Sequence, residues 1–181
     1  MSKLSTLSRS IVGKVAIVTG AASGMGRATA HLFIDEGARV AIIDINADAL
    51  AVVEKEIRDV GGDVLAITAD CSEQSEVVAA IKKTAAHFGG IDILINNAGI
   101  AIPTLLTDDH YDSTWDKSIA VMASAQQWAV RAALPYLAAA DHPRIVNIAS
   151  TEALGATAYN SPYVAAKHAS VGLTRAMAVE L

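Results

Sequence analysis

Short β-branched runs alternate along this chain with longer segments of helical period. The apolar runs predict strands at Val15–Thr19, Val40–Asp44, Val64–Thr68, Ile91–Ile95 and Ile145–Ala149. Each is nearly continuous in apolar character, without an in/out alternation. That is the signature of strands covered on both faces. Between them the 3.6-residue period predicts helices over Met25–Glu36, Ala47–Val60, Ser75–Phe88, His110–Leu137 and Pro162–Leu181. Gly37, Gly61 and Gly89–Gly90 fall where these helices should stop. Strand and helix repeated five times imply a parallel sheet with right-handed crossovers, hence a doubly wound α/β fold. Residues 1–12 read as a tail, and 13–181 as one domain.

Composition narrows the picture. Of 181 residues, 52% are hydrophobic and 18% charged, too apolar for intrinsic disorder. A chain this long buries roughly 70% of its unfolded surface, enough for a core without staples. Aromatics are 4%, so packing must run through Ala, Val, Ile and Leu. The net charge of -5 argues against a nucleic-acid partner. A lone cysteine, Cys71, excludes an internal disulfide framework and fits a reducing compartment. No apolar run reaches the ~18–20 residues of a membrane span, and MSKLSTLSRSIV has no signal-peptide core. A cytoplasmic address is the default expectation. His31, His87, His110, His142 and His168 show no metal-ligand spacing.

Candidate chemistry begins after the first strand, at Thr19-Gly20-Ala21-Ala22-Ser23-Gly24-Met25-Gly26. Three glycines between a buried strand and a helix serve three purposes. One permits a tight turn, one lets backbone approach a pyrophosphate, and one lets helix and sheet pack closely. The helix N-terminus offers free N–H groups to phosphate. The spacing G-x3-G-x-G differs from the commoner G-x-G-x-x-G.

Asp44 closes the second predicted strand. A carboxylate there can accept both hydroxyls of an adenosine ribose and repel a 2′-phosphate; it can also serve as an acid near a helix N-cap. Neither Ser23 nor Ile45 is basic, which points to NAD rather than NADP. Asp70, before Cys71, ends the third predicted strand, where it can reach an adenine edge or cap the next helix with Ser72. Asn96-Asn97-Ala98-Gly99 follows the fourth. It suits backbone lying flat under a ligand, and equally an ordinary turn.

Ser161-Pro162-Tyr163-Val164-Ala165-Ala166-Lys167 opens the last helix. Serine then proline reads as N-cap and first helical position. Tyr163 and Lys167 then share a face. Helix N-terminus and ammonium both favour a phenolate, a pKa change from ~10 to ~7 worth about 4 kcal/mol. The same pair can also be a packed ring beside a solvated lysine. Ser150 ends the fifth predicted strand, where its hydroxyl can polarise a carbonyl or cap a turn. Glu152, just beyond, either selects a polar substrate or faces water.

Together, Thr19–Gly26, Asp44, Asn96–Gly99, Ser150 and Tyr163-x3-Lys167 resemble the short-chain dehydrogenase/reductase family, NAD-dependent branch, over residues 13–181. The resemblance implies a Rossmann-type fold and NAD-dependent interconversion of a secondary alcohol and a ketone. Tyr163 would be the general acid/base, Ser150 would orient the substrate oxygen, and Lys167 would bind the nicotinamide ribose and lower the tyrosine pKa. Gly20, Ser23, Gly24, Met25, Gly26, Asp44, Ile45, Asp70, Cys71, Asn97, Ala98 and Gly99 would lie along the cofactor. It also implies a homodimer or homotetramer through long helices, one of them carrying Trp115 and Trp128.

Two departures stand out. Where that family commonly has asparagine in a W-D-x5-N context, Trp115-Asp116 leads to Met122, and the match resumes at Arg131-Ala132-Ala133-Leu134-Pro135. Loss of the amide implies a slowed proton relay. The family also continues past the equivalent of Leu181 with two strands and a substrate-covering segment, so the fifth strand is expected to be an open edge. These departures motivate the alternatives: a non-catalytic NAD-binding or interaction protein, or an inactive fragment of an enzyme. Substrate choice is expected to lie partly in Ile100–Thr107.

Overall fold

A computed structural model describes residues 9–181; residues 1–8 of the predicted tail lie outside the described residues. Five parallel strands form one sheet: β1 Val15–Thr19, β2 Arg39–Asp44, β3 Val64–Thr68, β4 Ile93–Asn96 and β5 Arg144–Asn147. Their order is β3-β2-β1-β4-β5. The order reverses between β1 and β4, and in such sheets the crevice at the strands' carboxyl ends, beside that reversal, receives ligands.

The sheet's period of two divides the core. Val15 and Ile17 of β1, with Ala41 and Ile43 of β2, face α3 (Gln74–Phe88), α5 (Ala125–Leu137) and α6 (Ser161–Glu180). Ala16, Val18, Val40 and Ile42 face α1 (Gly24–Asp35) and α2 (Ala47–Asp59). Every residue of β1 is buried. Side chains such as Ile17 contribute about 2 kcal/mol each through burial. Gly37, Gly61 and Gly89 take positive φ after α1, α2 and α3, as expected of helix stops.

Four expectations need correction. First, β5 is not covered on both faces. Ile145 packs into the core, while Val146, on the other face, is 42% exposed. Its apolar run reads like the others, but the helices on that side, α1 and α2, pack on β1, β2 and β3. Second, strand ends move. β4 includes Asn96, which pairs in register with Asn147 and donates from Nδ2 to its Oδ1 at 2.8 Å. β5 stops at Asn147, so Ser150 lies three residues past the strand. β3 keeps its predicted bounds and ends at Thr68, so Asp70 lies two residues beyond it and does not end the strand.

Third, the long helix predicted over 110–137 has an irregular centre. α4 (Tyr111–Ile119) passes through a π-helical turn, Ala120–Ser124, into α5. Met122 sits in that turn, wholly buried. Fourth, Asn160, not Ser161, precedes the last helix. Ser161 Oγ instead meets the Tyr111 hydroxyl at 2.9 Å, tying the start of α6 to that of α4. Among the described residues no helix is long and apolar enough to cross a membrane.

Candidate active site

Thr19 ends β1 with its hydroxyl turned to backbone work. Its Oγ1 accepts the N–H groups of Asn97 and Ala98, each at 3.0 Å. Asn97 returns the bond, its Nδ2 donating to the carbonyls of Thr19 at 2.8 Å and Gly20 at 3.1 Å. The ends of β1 and β4 are thus laced together, and the side-chain amide of Asn97 holds the glycine turn.

The glycines then divide their labour. Gly20 has φ 65, and a Cβ there would lie 2.8 Å from Ala98 Cα. At Gly26 a Cβ would lie 2.1 Å from the Gly20 carbonyl oxygen, so the first turn of α1 is pressed onto the loop. Gly24 has φ 53 and nothing within 4 Å of its missing Cβ; there the backbone is open. Ser23, before α1, makes no side-chain cap, which leaves the helix's first N–H groups available to an anion.

Asp44 serves the same loop. Its Oδ2 accepts the Ala22 N–H at 2.9 Å and its Oδ1 the Asn46 N–H at 3.0 Å. A carboxylate has roughly four acceptor positions, so it can still receive a hydroxyl. Asp70 folds back on its own turn, its Oδ1 accepting the N–H and the hydroxyl of Ser72, both at 2.7 Å. Cys71 is buried, and its thiol is pushed up to about 12 by burial and by the nearby charges of Asp70, Asp44 and Glu76. It is no nucleophile at neutral pH.

Tyr163 stands in the first turn of α6, half-buried against the core. One turn on, Lys167 is 3% exposed. Its Nζ lies 5.6 Å from the centre of the Tyr163 ring and donates to the Ile148 carbonyl at 2.6 Å. Burial pushes its pKa below the usual lysine range. The entry to α6 is held by Tyr159, whose left-handed backbone (φ 64) presents a carbonyl to the Thr104 N–H at 2.8 Å. Ser150 Oγ accepts the Glu152 N–H at 3.2 Å, so it caps the short turn Thr151–Ala153 and keeps its own proton to donate. Glu152 neither lines the cleft nor faces water freely; its two oxygens bind the Thr157 N–H at 2.8 Å and hydroxyl at 2.6 Å.

One cleft of about 440 Å³ gathers Gly20, Ser23, Gly24, Met25, Asp44, Asn97, Gly99, Tyr163 and Lys167. A smaller hollow of about 150 Å³ shares Gly20, Asp44 and Gly99 with it and adds Ile45, Asp70, Cys71 and Ala98. Of the expected site residues, only Gly26 and Ser150 line neither. Gly26 lies behind the loop, and Ser150 directly follows Ala149, which does line the cleft. Sequence reasoning missed Ile148 and Ala149 in the cleft and Lys117 and Val121 in the hollow. The first pair follows a strand's carboxyl end, which could have revealed it. Nothing local distinguishes Lys117 or Val121 from other positions of α4 and the π turn.

Comparison with known proteins agrees with this arrangement. The family model described as "short chain dehydrogenase" matches residues 14–181. A (2S)-[(R)-hydroxy(phenyl)methyl]succinyl-CoA dehydrogenase subunit from Thauera aromatica is 40% identical over 171 residues, 94% of this chain and 68% of that protein. A 2,5-dichloro-2,5-cyclohexadiene-1,4-diol dehydrogenase from Sphingobium indicum is 38% identical, with 94% of this chain and 68% of that one covered. The crystal structure of a short-chain dehydrogenase/reductase from Burkholderia phymatum in complex with NAD superposes with a TM-score of 0.89 at 32% identity, covering 95% of this chain and 61% of that chain. This chain therefore spans about two thirds of the length of such relatives. On the match of nearly its whole length, the chain belongs to the short-chain dehydrogenase family of oxidoreductases.

Proposed function

We propose that this chain carries an NAD(H)-dependent activity that interconverts a secondary alcohol and a ketone, with Tyr163 moving the proton. The observation that carries the reading is a single cleft lined by the open glycine turn, Asp44, Asn97, Tyr163 and Lys167. The cradle suits a dinucleotide. Gly24 leaves room for a close backbone approach, and the uncapped start of α1 suits a pyrophosphate. Asp44 would accept a ribose hydroxyl and disfavour a phosphorylated one.

A nicotinamide bound there supplies the hydride donor or acceptor. The chain's own residues do the rest. Tyr163 gives its hydroxyl proton to the developing alkoxide, or as phenolate removes it from the alcohol. The ammonium of Lys167 and the N-terminus of α6 both stabilise that phenolate. Ser150 donates its remaining proton to the substrate oxygen, which fixes the oxygen beside the tyrosine.

The test follows NADH absorbance with a panel of secondary alcohols and their ketones. Tyr163→Phe is expected to lower kcat/KM by about 10²–10⁴-fold while NAD binding, measured by calorimetry, persists. Unchanged turnover in that variant would remove Tyr163 from the mechanism.

A further inference from the structure

The first turn of α6 is held less by its own helix than by what precedes it. Tyr163 is the third residue of that helix, and an N–H so early has no carbonyl one turn back to meet. The first bond of the ladder runs from the Val164 N–H to the Asn160 carbonyl at 2.9 Å. Asn160, before the helix, gives no side-chain cap. Its Oδ1 is buried without a partner among the described residues. A first turn made this way needs contacts from outside to fix it.

Those contacts converge on Tyr159 and Ser161. Among the described residues Tyr159 alone, apart from glycines, lies in the left-handed region, at φ 64. It is 64% exposed, so packing of its ring does not account for that conformation. Its carbonyl receives the Thr104 N–H at 2.8 Å. Thr104 is itself braced: it is buried, and its hydroxyl donates to Asp108 Oδ2 at 3.1 Å, an oxygen that also accepts the Leu105 N–H at 2.7 Å. From the other side, Ser161 Oγ meets the Tyr111 hydroxyl at 2.9 Å. Backbone strain persists where the surroundings over-determine it, and it gathers at functional sites.

Resting on the role given to Tyr163 above, we propose that Tyr159 is a positioning residue that acts through its backbone and not through its ring. Its left-handed turn carries the chain from the Thr104 contact into α6 at the angle that sets Tyr163 in the cleft with Lys167.

Three substitutions separate backbone from ring. Glycine and asparagine accept the left-handed region, whereas a β-branched side chain resists it. Turnover is followed with NAD and cyclohexanol, or the best secondary alcohol of the panel above. Tyr159→Ile is expected to lower kcat by about 10- to 100-fold, with NAD affinity by calorimetry unchanged. Tyr159→Asn and Tyr159→Gly lose the ring and keep the turn, and kcat is expected to stay within about threefold of the unaltered chain. The Tyr163 ring signals, read by NMR on isotope-labelled tyrosine and assigned by their loss in Tyr163→Phe, are expected to move in Tyr159→Ile relative to Tyr159→Asn. Equal losses of kcat in Tyr159→Asn and Tyr159→Ile would put the role in the ring and overturn the proposal. A lower Tm in Tyr159→Ile, with kcat and the Tyr163 signals unchanged, would also overturn it, since the turn would then serve stability alone. Signals that move as expected in a chain that turns over no alcohol uphold the positioning and count instead against Tyr163 as the group that moves the proton.

Discussion

Gly20 and Tyr163 line one cleft, yet the protein fixes them by different means. Around Gly20, polar side chains are committed to backbone. The Asn97 amide nitrogen, Thr19 Oγ1 and one oxygen of Asp44 hold the loop. Around Tyr163, polar atoms are left over. Lys167 uses one of three donors, and Ser150 accepts a bond without giving one. The loop is thus preorganised for a ligand that meets backbone, while the other end keeps donors for a reacting oxygen. The sheet repeats the contrast. β1 is buried on both faces, and β5 is covered on one.

Three substitutions probe this division. Gly26→Ala should have the largest effect, about 3 kcal/mol of lost stability, because the added Cβ meets the Gly20 carbonyl oxygen and not a flexible side chain. Denaturant melts check it, and weaker NAD binding should accompany it. An unchanged melt would mean that α1 does not bear on the loop. Thr19→Val keeps the shape and orphans the N–H groups of Asn97 and Ala98. About 2 kcal/mol should be lost, seen as a lower Tm with little change in kcat at saturating NAD.

The smallest effect belongs to the other end. Lys167 has its pKa lowered in the folded chain, so between that value and about 10.4 the unfolded chain binds one proton more. Stability should therefore rise with pH across that window, by at most about 1.4 kcal/mol per pH unit. Lys167→Met should flatten this slope in ligand-free melts while abolishing turnover. A slope unchanged by the substitution would show that the lysine stays solvated.

What was legible in sequence follows the same division. The glycine loop is local: strand, turn and helix are consecutive, so residue types alone disclosed the tight turn, the open approach and the close packing. The pairing of Tyr163 with Lys167 was legible because four residues make one helical turn. Ser150 was placed at a strand end because Ile145–Ala149 is apolar but for Asn147. β5 stops at Asn147, where its pairing with β4 ends, and a strand cannot know its partner's length. The bare face of Val146 was hidden for a similar reason, since cover is supplied by distant helices. Lys117 and Val121 reach the hollow only through the packing of α4 and the π turn against the sheet.

The π-helical turn at Ala120–Ser124 behaves as a spacer of one residue inside an otherwise continuous rod. Such a turn holds one residue more than an α turn, and each residue rotates the rod by roughly 100°. Deleting a single residue there would not merely shorten the helix. It would swing α4 about its axis, carrying Lys117 off the hollow and Tyr111 away from Ser161, while α5 kept its seat on the sheet. The helix is therefore indexed in two sections. The buried sulfur of Met122, beside Gly99, marks the notch at which one section can be reset against the other.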